Sequence, residues 1–159
     1  MNSLADRLGT ILAARDPSVR AEWEARPAAV LIPIYLHQDQ WHLVYTRRTD
    51  QVEQHRGQVS FPGGLIEDQD ASARETALRE AEEEIGIKRE AVRILGPLDT
   101  LLTVTQFEIH PFVGLIPWPC SFKPNPDEVA HIFSVPLQWL SDPGNVEKRF
   151  RKPIPNGPE

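Results

Sequence analysis

Glu80, Glu83 and Glu84 fall at positions i, i+3 and i+4 of the run Arg79-Glu80-Ala81-Glu82-Glu83-Glu84. On a helix that spacing places all three carboxylates on one face. At about 6 Å each like-charged pair costs ~0.7–3 kcal/mol for effective dielectrics between 80 and 20. No lysine shares the face to offset this, and negative charge at a helix C-terminus also opposes the helix dipole. A solvated acidic face is one reading of such a run. A bound divalent cation is the other: Mg²⁺ takes oxygen ligands, bridges phosphate oxygens and activates water. The pair Gly63-Gly64 lies upstream, where a backbone without side chains can approach a ligand closely. Together these residues suit metal-assisted chemistry on a phosphate compound.

The elements that must position them can be read from the pattern. Ser72 to Ile85 is the strongest helix: Ser72-Ala73-Arg74-Glu75 is a capping box, Ala73, Ala77, Ala81 and Ile85 form an apolar stripe, and Gly86 is placed to end it in a left-handed cap. Ser3 to Ala14 is a shorter helix with Leu4, Leu8, Ile11 and Leu12 on one face and Ser3 with Asp6 at its start. Ala28–Leu36 reads as a buried strand despite Pro33, His37 to Gln40 as a turn, and Trp41–Arg47 as the return strand. Val59-Ser60-Phe61 is a short extended piece, and Pro62-Gly63-Gly64 reads as a sharp turn. Further strands are expected at Val92–Leu95, Leu98–Thr105, Ile109–Ile116 and Val129–Val135, with a proline-rich loop over residues 117–126 and a short helix at Leu137–Leu140. Strands with one strong central helix and a helix at each end imply an α/β class, a mixed central sheet between helices.

The 159 residues fit one domain, with residues 1–27 as N-terminal helix and connection and residues 142–159 as a proline-rich tail. The formal charge of −6 argues against a broad nucleic-acid footprint, which needs a basic face. It leaves room for a small anion, because a bound cation reverses the local field. No apolar run approaches the ~20 residues of a membrane span, and no signal-peptide pattern opens the chain. The expectation is a soluble cytoplasmic protein without membrane partner, able to form a homodimer. The lone Cys120 excludes an internal disulfide and reads as a small buried residue.

At this point a resemblance enters. Gly64 followed by Arg79-Glu80-Ala81-x-Glu83-Glu84-x-Gly86-Ile87 resembles the Nudix box, with alanine at its first aliphatic position. The box carries a glutamate between the glycine and the arginine. Here residues 65 to 78 are one more than the box allows, and the glutamate's place falls on Asp70 counted from Gly64 or on Ala71 counted from Arg79. This reads as a one-residue loop insertion, with Asp70, Asp68 or Glu67 pairing with Arg79. The resemblance implies an α/β/α sandwich and a diphosphate-cleaving hydrolase using Mg²⁺ or Mn²⁺. It implies Glu80 and Glu84 as principal metal ligands and Glu83 as a further ligand or an orienter of the attacking water, so that Glu83 and Glu84 carry the catalytic role. Glu128, from a distant loop, is the candidate for an added ligand. Arg79 and Gly86 are expected to be structural supports.

A second signature lies upstream. Val44-Tyr45-Thr46-Arg47-Arg48-Thr49, then Gly57 and Phe61-Pro62-Gly63-Gly64, resembles the motif of the coenzyme A diphosphatases within the Nudix group, with its spacing intact. Thr49 replaces serine or alanine, and Glu53 stands where an arginine belongs, with Arg56 three residues on. The resemblance implies cleavage of coenzyme A or acyl-coenzyme A to 3′-phosphoadenylate and (acyl-)4′-phosphopantetheine. Arg47, Arg48 and Arg56, with Gly63 and Gly64, would meet the substrate, since phosphate recognition favours guanidinium groups. Loss of one arginine points equally to ADP-ribose or a dinucleotide as the alternative. A non-catalytic nucleotide-binding module and a protein-interaction domain on the same fold are the readings of another class.

Overall fold

A computed structural model describes residues 3–17, 25–50 and 57–148. The expected cation at Arg56, the charge reversal at Glu53 and the proline-rich tail beyond residue 148 lie outside the described residues.

Two helices and eight strands carry the architecture: α1 (Leu4–Ala13), β1 (Arg26–His37), β2 (Gln40–Arg48), β3 (Val59–Ser60), β4 (Gly63–Leu65), α2 (Ala73–Ile85), β5 (Arg93–Pro97), β6 (Leu101–Leu102), β7 (Phe107–Leu115) and β8 (Val129–Pro136), followed by the single turn α3 (Leu137–Ser141). All eight strands form one sheet of order β3-β2-β1-β7-β5, with β4 on β1, β6 on β7 and β8 on β2. The pair β1 and β7 is parallel and the rest are antiparallel, so the sheet is mixed. α2 packs on one face, where Ala77, Leu78, Ala81 and Ile85 meet Ala29, Leu31, Tyr35 and Val44. α1 packs on the other, where Ala5 and Leu12 meet Ile32, Ile34, Leu95 and Val113. The alternation along β1 that a strand requires thus feeds two cores, and the result is the expected α/β/α sandwich. Among the described residues no helix is long and apolar enough to cross a membrane.

Local chemistry explains the boundaries. Ser3 and Asp6 form the reciprocal capping box on α1. Ser72 Oγ accepts from Glu75 N at the start of α2, and Gly86, at φ 74°, closes its end with a bond to Glu82 O. Gln38 and Asp39 both have positive φ, which gives the β1–β2 hairpin its two-residue turn. Pro33 is tolerated because it sits between the stretches of β1 that pair β4 (Ala28–Val30) and β2 (from Ile34 on), and Leu31 N bonds instead to Pro62 O.

Two expectations are corrected. The strand expected over Leu98–Thr105 shrinks to Leu101–Leu102, because Thr103 Oγ1 takes the Phe107 N–H and begins a turn with Gln106 at φ 62°. Gly63 and Gly64 form β4 on Ala29 and Val30 rather than a sharp turn, and neither has a left-handed φ. Glycine stands there for lack of room. A Cβ on Gly63 would lie 2.8 Å from the Val30 Cα.

Candidate active site

The acidic face of α2 meets strand β4, the loop after residue 122 and the end of β2. β4 runs along it, and a Cβ on Gly64 would lie 2.5 Å from the Glu80 carboxyl carbon. The loop after residue 122 wraps the helix end through Lys123 N to Ile85 O and Asn125 N to Glu84 O, both 2.9 Å. Asn125 then closes the turn that carries Glu128: its carbonyl accepts from Glu128 N and Val129 N. The end of β2 fastens the same turn, through Thr49 N to Glu128 O at 2.9 Å and Thr49 Oγ1 to Asp127 O at 3.1 Å.

Arg79 organises the base of the cluster. Its guanidinium is buried and forms a fork with Asp70, Nε to Oδ1 and Nη2 to Oδ2, both 2.9 Å. Asp70 also accepts from Thr76 Oγ1 at 2.8 Å and Glu67 N at 3.0 Å, and these donors hold its carboxyl well below the usual carboxylate range. Nη2 also donates to Leu65 O at 3.2 Å, and the remaining arm, Nη1, reaches Glu80 at 2.7 Å and Glu83 at 3.2 Å. Of the three acids expected to pair with Arg79, Asp70 does so; Glu67 stands 3.9 Å off and Asp68 makes no bond to it.

Glu84 is the most enclosed of the three helix carboxylates, its side chain 4% exposed. Burial pushes its pKa up to about 8, helped by the charges of Glu80 and Glu128 and resisted by Arg48 and the Gly63 N–H that it accepts. Burial likewise raises Glu80, against the pull of Arg79 and with Glu83 and Glu128 adding to the rise. Glu128 therefore lies close enough for both helix acids to feel it, while Glu83 is half-exposed at the rim. Arg48 Nη1 is 3.8 Å from Glu84 Oε1, and its Nε is buried without a partner. The pairing of β2 with β8 shifts register between Arg47 and Arg48. Arg47 is exposed and its guanidinium lies near Gly57 instead of the acids.

The structure thus brings together Glu80, Glu83, Glu84, Glu128, Arg48, Arg79, Gly63 and Gly64, with Gly86 at the helix end, and leaves Arg47 outside the group. Sequence reasoning missed Thr49 and Asn125, which act mainly through backbone bonds. Among the described residues no three acidic, imidazole or thiol side chains form a closed cage; Arg79 bonds Glu80 and Glu83, and Arg48 stands 3.8 Å from Glu84. The donor set nevertheless fits a divalent cation. It is all oxygen, Glu84 is buried and Glu80 partly so, both with raised pKa, and a third anion stands beside them.

A mixed sheet between helices, with an acidic helix face under a glycine strand, defines the architecture of the Nudix proteins. The NUDIX domain model matches residues 25–156, and the chain belongs to that family, whose hydrolases generally use divalent metal ions. It is 48% identical over 121 residues to the uncharacterized Nudix hydrolase NudL of Pectobacterium atrosepticum, covering 76% of this chain and 62% of the relative. It is 46% identical over 112 residues to the protein of the same name in Escherichia coli K12, covering 70% of this chain and 58% of that one. The chain thus spans about six-tenths of the length of these curated relatives. Among solved structures it resembles a C. elegans Ap4A hydrolase binary complex (TM-score 0.61, 17% identity, covering 70% of this chain and 80% of that one). It also resembles the NUDIX domain of Shewanella oneidensis NrtR complexed with ADP ribose (TM-score 0.59, 18% identity, 82% and 84% covered). At such identities the likeness concerns the fold.

Proposed function

We propose that this protein hydrolyses the diphosphate linkage of a nucleoside diphosphate-linked compound, with coenzyme A or acyl-coenzyme A as the leading substrate. The observation that carries the reading is the convergence of Glu80, Glu84 and Glu128 on one partly buried space with Arg48 at its edge. Glu80, Glu84 and Glu128, with Glu83 at the rim, would hold Mg²⁺ or Mn²⁺. Such an ion supplies charge neutralisation at a diphosphate and activation of water.

The chain's own groups do the rest. Arg79, locked by Asp70, fixes the carboxylates of Glu80 and Glu83. The Gly63 N–H orients Glu84. Glu83 is exposed enough to accept a proton from an attacking water. Arg48 presents guanidinium donors suited to diphosphate oxygens. Water adds across the P–O–P anhydride: its oxygen bonds to one phosphorus, and the other phosphate leaves. Coenzyme A would give 3′-phosphoadenylate and 4′-phosphopantetheine. The coenzyme A motif around Thr46, Arg48, Gly57 and Phe61 to Gly64 supports this substrate, with Arg47 and Arg56 as outer contacts to its phosphates. The charge reversal at Glu53 favours ADP-ribose or a dinucleotide as the second reading.

Product analysis after incubation with coenzyme A, ADP-ribose and NADH, each with and without Mg²⁺, tests both. Metal-dependent release of 3′-phosphoadenylate fastest of all supports the first reading. Cleavage of another diphosphate with coenzyme A intact replaces the substrate, and no cleavage of any removes the catalytic assignment.

A further inference from the structure

Arg48 is only half committed to its neighbour. Its Nη1 stands 3.8 Å from Glu84 Oε1, an ion pair too long for a hydrogen bond. Its Nε–H is closed off from water and meets no acceptor. A buried donor left unpaired costs roughly 1–3 kcal/mol, so attraction to Glu84 alone does not account for the position. The backbone imposes it: Arg48 N bonds to Gln58 O, the register shifts at this residue, and Thr49 N is tied to Glu128 O. The same tie couples Arg48 to the turn bearing Glu128. Its side chain as a whole is 29% exposed, so Arg48 is not sealed in the core. Among the described residues it is the cation whose charge acts on Glu84.

We propose that Arg48 is a positioning counter-ion that makes cation and diphosphate load together: it opposes cation binding at Glu84 in the free protein, and turns its donors to a diphosphate oxygen when both are present. The inference rests on the reading of this site as a diphosphate hydrolase and deepens it. A guanidinium keeps its charge at any working pH. A fixed positive charge about 6 Å from a divalent cation weakens its binding roughly tenfold even at the dielectric of water. A diphosphate removes that penalty by giving the guanidinium a charged acceptor. The coupling is reciprocal, so the cation also tightens the diphosphate. An arginine that only supported the fold would also repel the cation, but its removal would leave KM for the diphosphate unchanged.

The test compares wild type, Arg48→Met and Arg48→Lys. Mn²⁺ binding is measured by titration calorimetry at low salt without nucleotide. KM and kcat are then measured for the diphosphate cleaved fastest. Arg48→Met is expected to bind Mn²⁺ about tenfold more tightly than wild type, with Arg48→Lys close to wild type. Its KM is expected to rise tenfold or more, by a larger factor than kcat falls. Equal or weaker Mn²⁺ binding by a folded Arg48→Met overturns the proposal, as does an unchanged KM. If Arg48→Met melts below the assay temperature, Arg48→Gln carries the same measurement. The Mn²⁺ titration needs no turnover. A wild type that cleaves no nucleotide diphosphate would therefore refute the proposed function, while the metal arm still decides whether Arg48 opposes the cation.

Discussion

Replacing Asp70 with alanine tests whether the loop acid holds the whole cluster in place. Its carboxyl receives four donors, two from Arg79 and one each from Thr76 and Glu67, and its side chain is 4% exposed against 9% for Arg79. Alanine would leave a buried guanidinium with Leu65 O, Glu80 and Glu83 as hydrogen-bond partners and Glu67 at 3.9 Å. Removing one member of a buried pair costs about 3–5 kcal/mol. In a domain of this length each kcal/mol lowers Tm by about 2–4 °C, so a fall of roughly 6–20 °C is expected by calorimetry in EDTA at pH 7.5. Activity should fall by at least tenfold, because Arg79 no longer fixes Glu80 and Glu83 (a rough figure for the loss of a positioning contact). The pH profile adds a sign. The Asp70 pKa is lowered in the folded protein, so its contribution is present above the unfolded value near 3.9 and lost as pH falls below it toward the folded value. Asp70→Ala should therefore flatten part of the acid limb of stability below about pH 4. A Tm within 2–3 °C of wild type, the equivalent of about 1 kcal/mol, would refute the argument and show that Glu80 and Glu83 alone suffice to hold Arg79.

The paired glycines of β4 should fail differently. Gly63→Ala presses on Val30 backbone and is expected to cost stability, by more than about 2 kcal/mol in urea unfolding. Gly64→Ala presses on the carboxylate end of the Glu80 side chain rather than on backbone, and should cost less Tm than Gly63→Ala while weakening Mn²⁺ binding severalfold. Thr49→Val removes the bond to Asp127 O, and should cost about 1 kcal/mol and loosen Glu128, read as a higher Mn²⁺ dissociation constant. Glu84→Gln removes a buried charge, so metal-free Tm at pH 9 should hold or rise while turnover falls by a hundredfold or more; near wild-type turnover would exclude Glu84 from the reaction.

The parts of the fold legible in the sequence are those in which a local pattern and a tertiary demand coincide. The stripe Ala77, Ala81, Ile85 and the cap at Gly86 made α2 readable because its buried face is regular and its end needs a left-handed residue. The carboxylates were readable for the opposite reason: i, i+3, i+4 acids at a helix C-terminus contradict local preference. What escaped depends on distance in the chain. Nothing near Thr49 in sequence says that it will hold a turn 78 residues away, since half of that bond is backbone and backbone has no sequence signature. The reading of Gly63-Gly64 failed on the same ground. Glycine was assigned to a turn because its conformational freedom is a local property, whereas here it answers to the crowding of Val30 on one side and Glu80 on the other.

That distinction bears on the chemistry as well as the fold. Arg47 and Arg48 are adjacent and alike in sequence; the coenzyme A motif has its arginine at Arg48, but the need for cations at a phosphate makes both of them candidates. The structure separates them: Arg48 faces Glu84, while Arg47 lies by Gly57. The two arginines therefore make opposite demands on experiment. Removing the charge of Arg48 should alter the affinity for the cation even with no nucleotide present, because the charge stands beside a ligand group. Removing that of Arg47 should leave metal affinity unchanged and act, if at all, on the approach of an anion, with a strong dependence on salt. A metal titration that moved equally in both variants would mean that the field over the cluster is diffuse, and that the 3.8 Å approach of Arg48 to Glu84 has no special consequence.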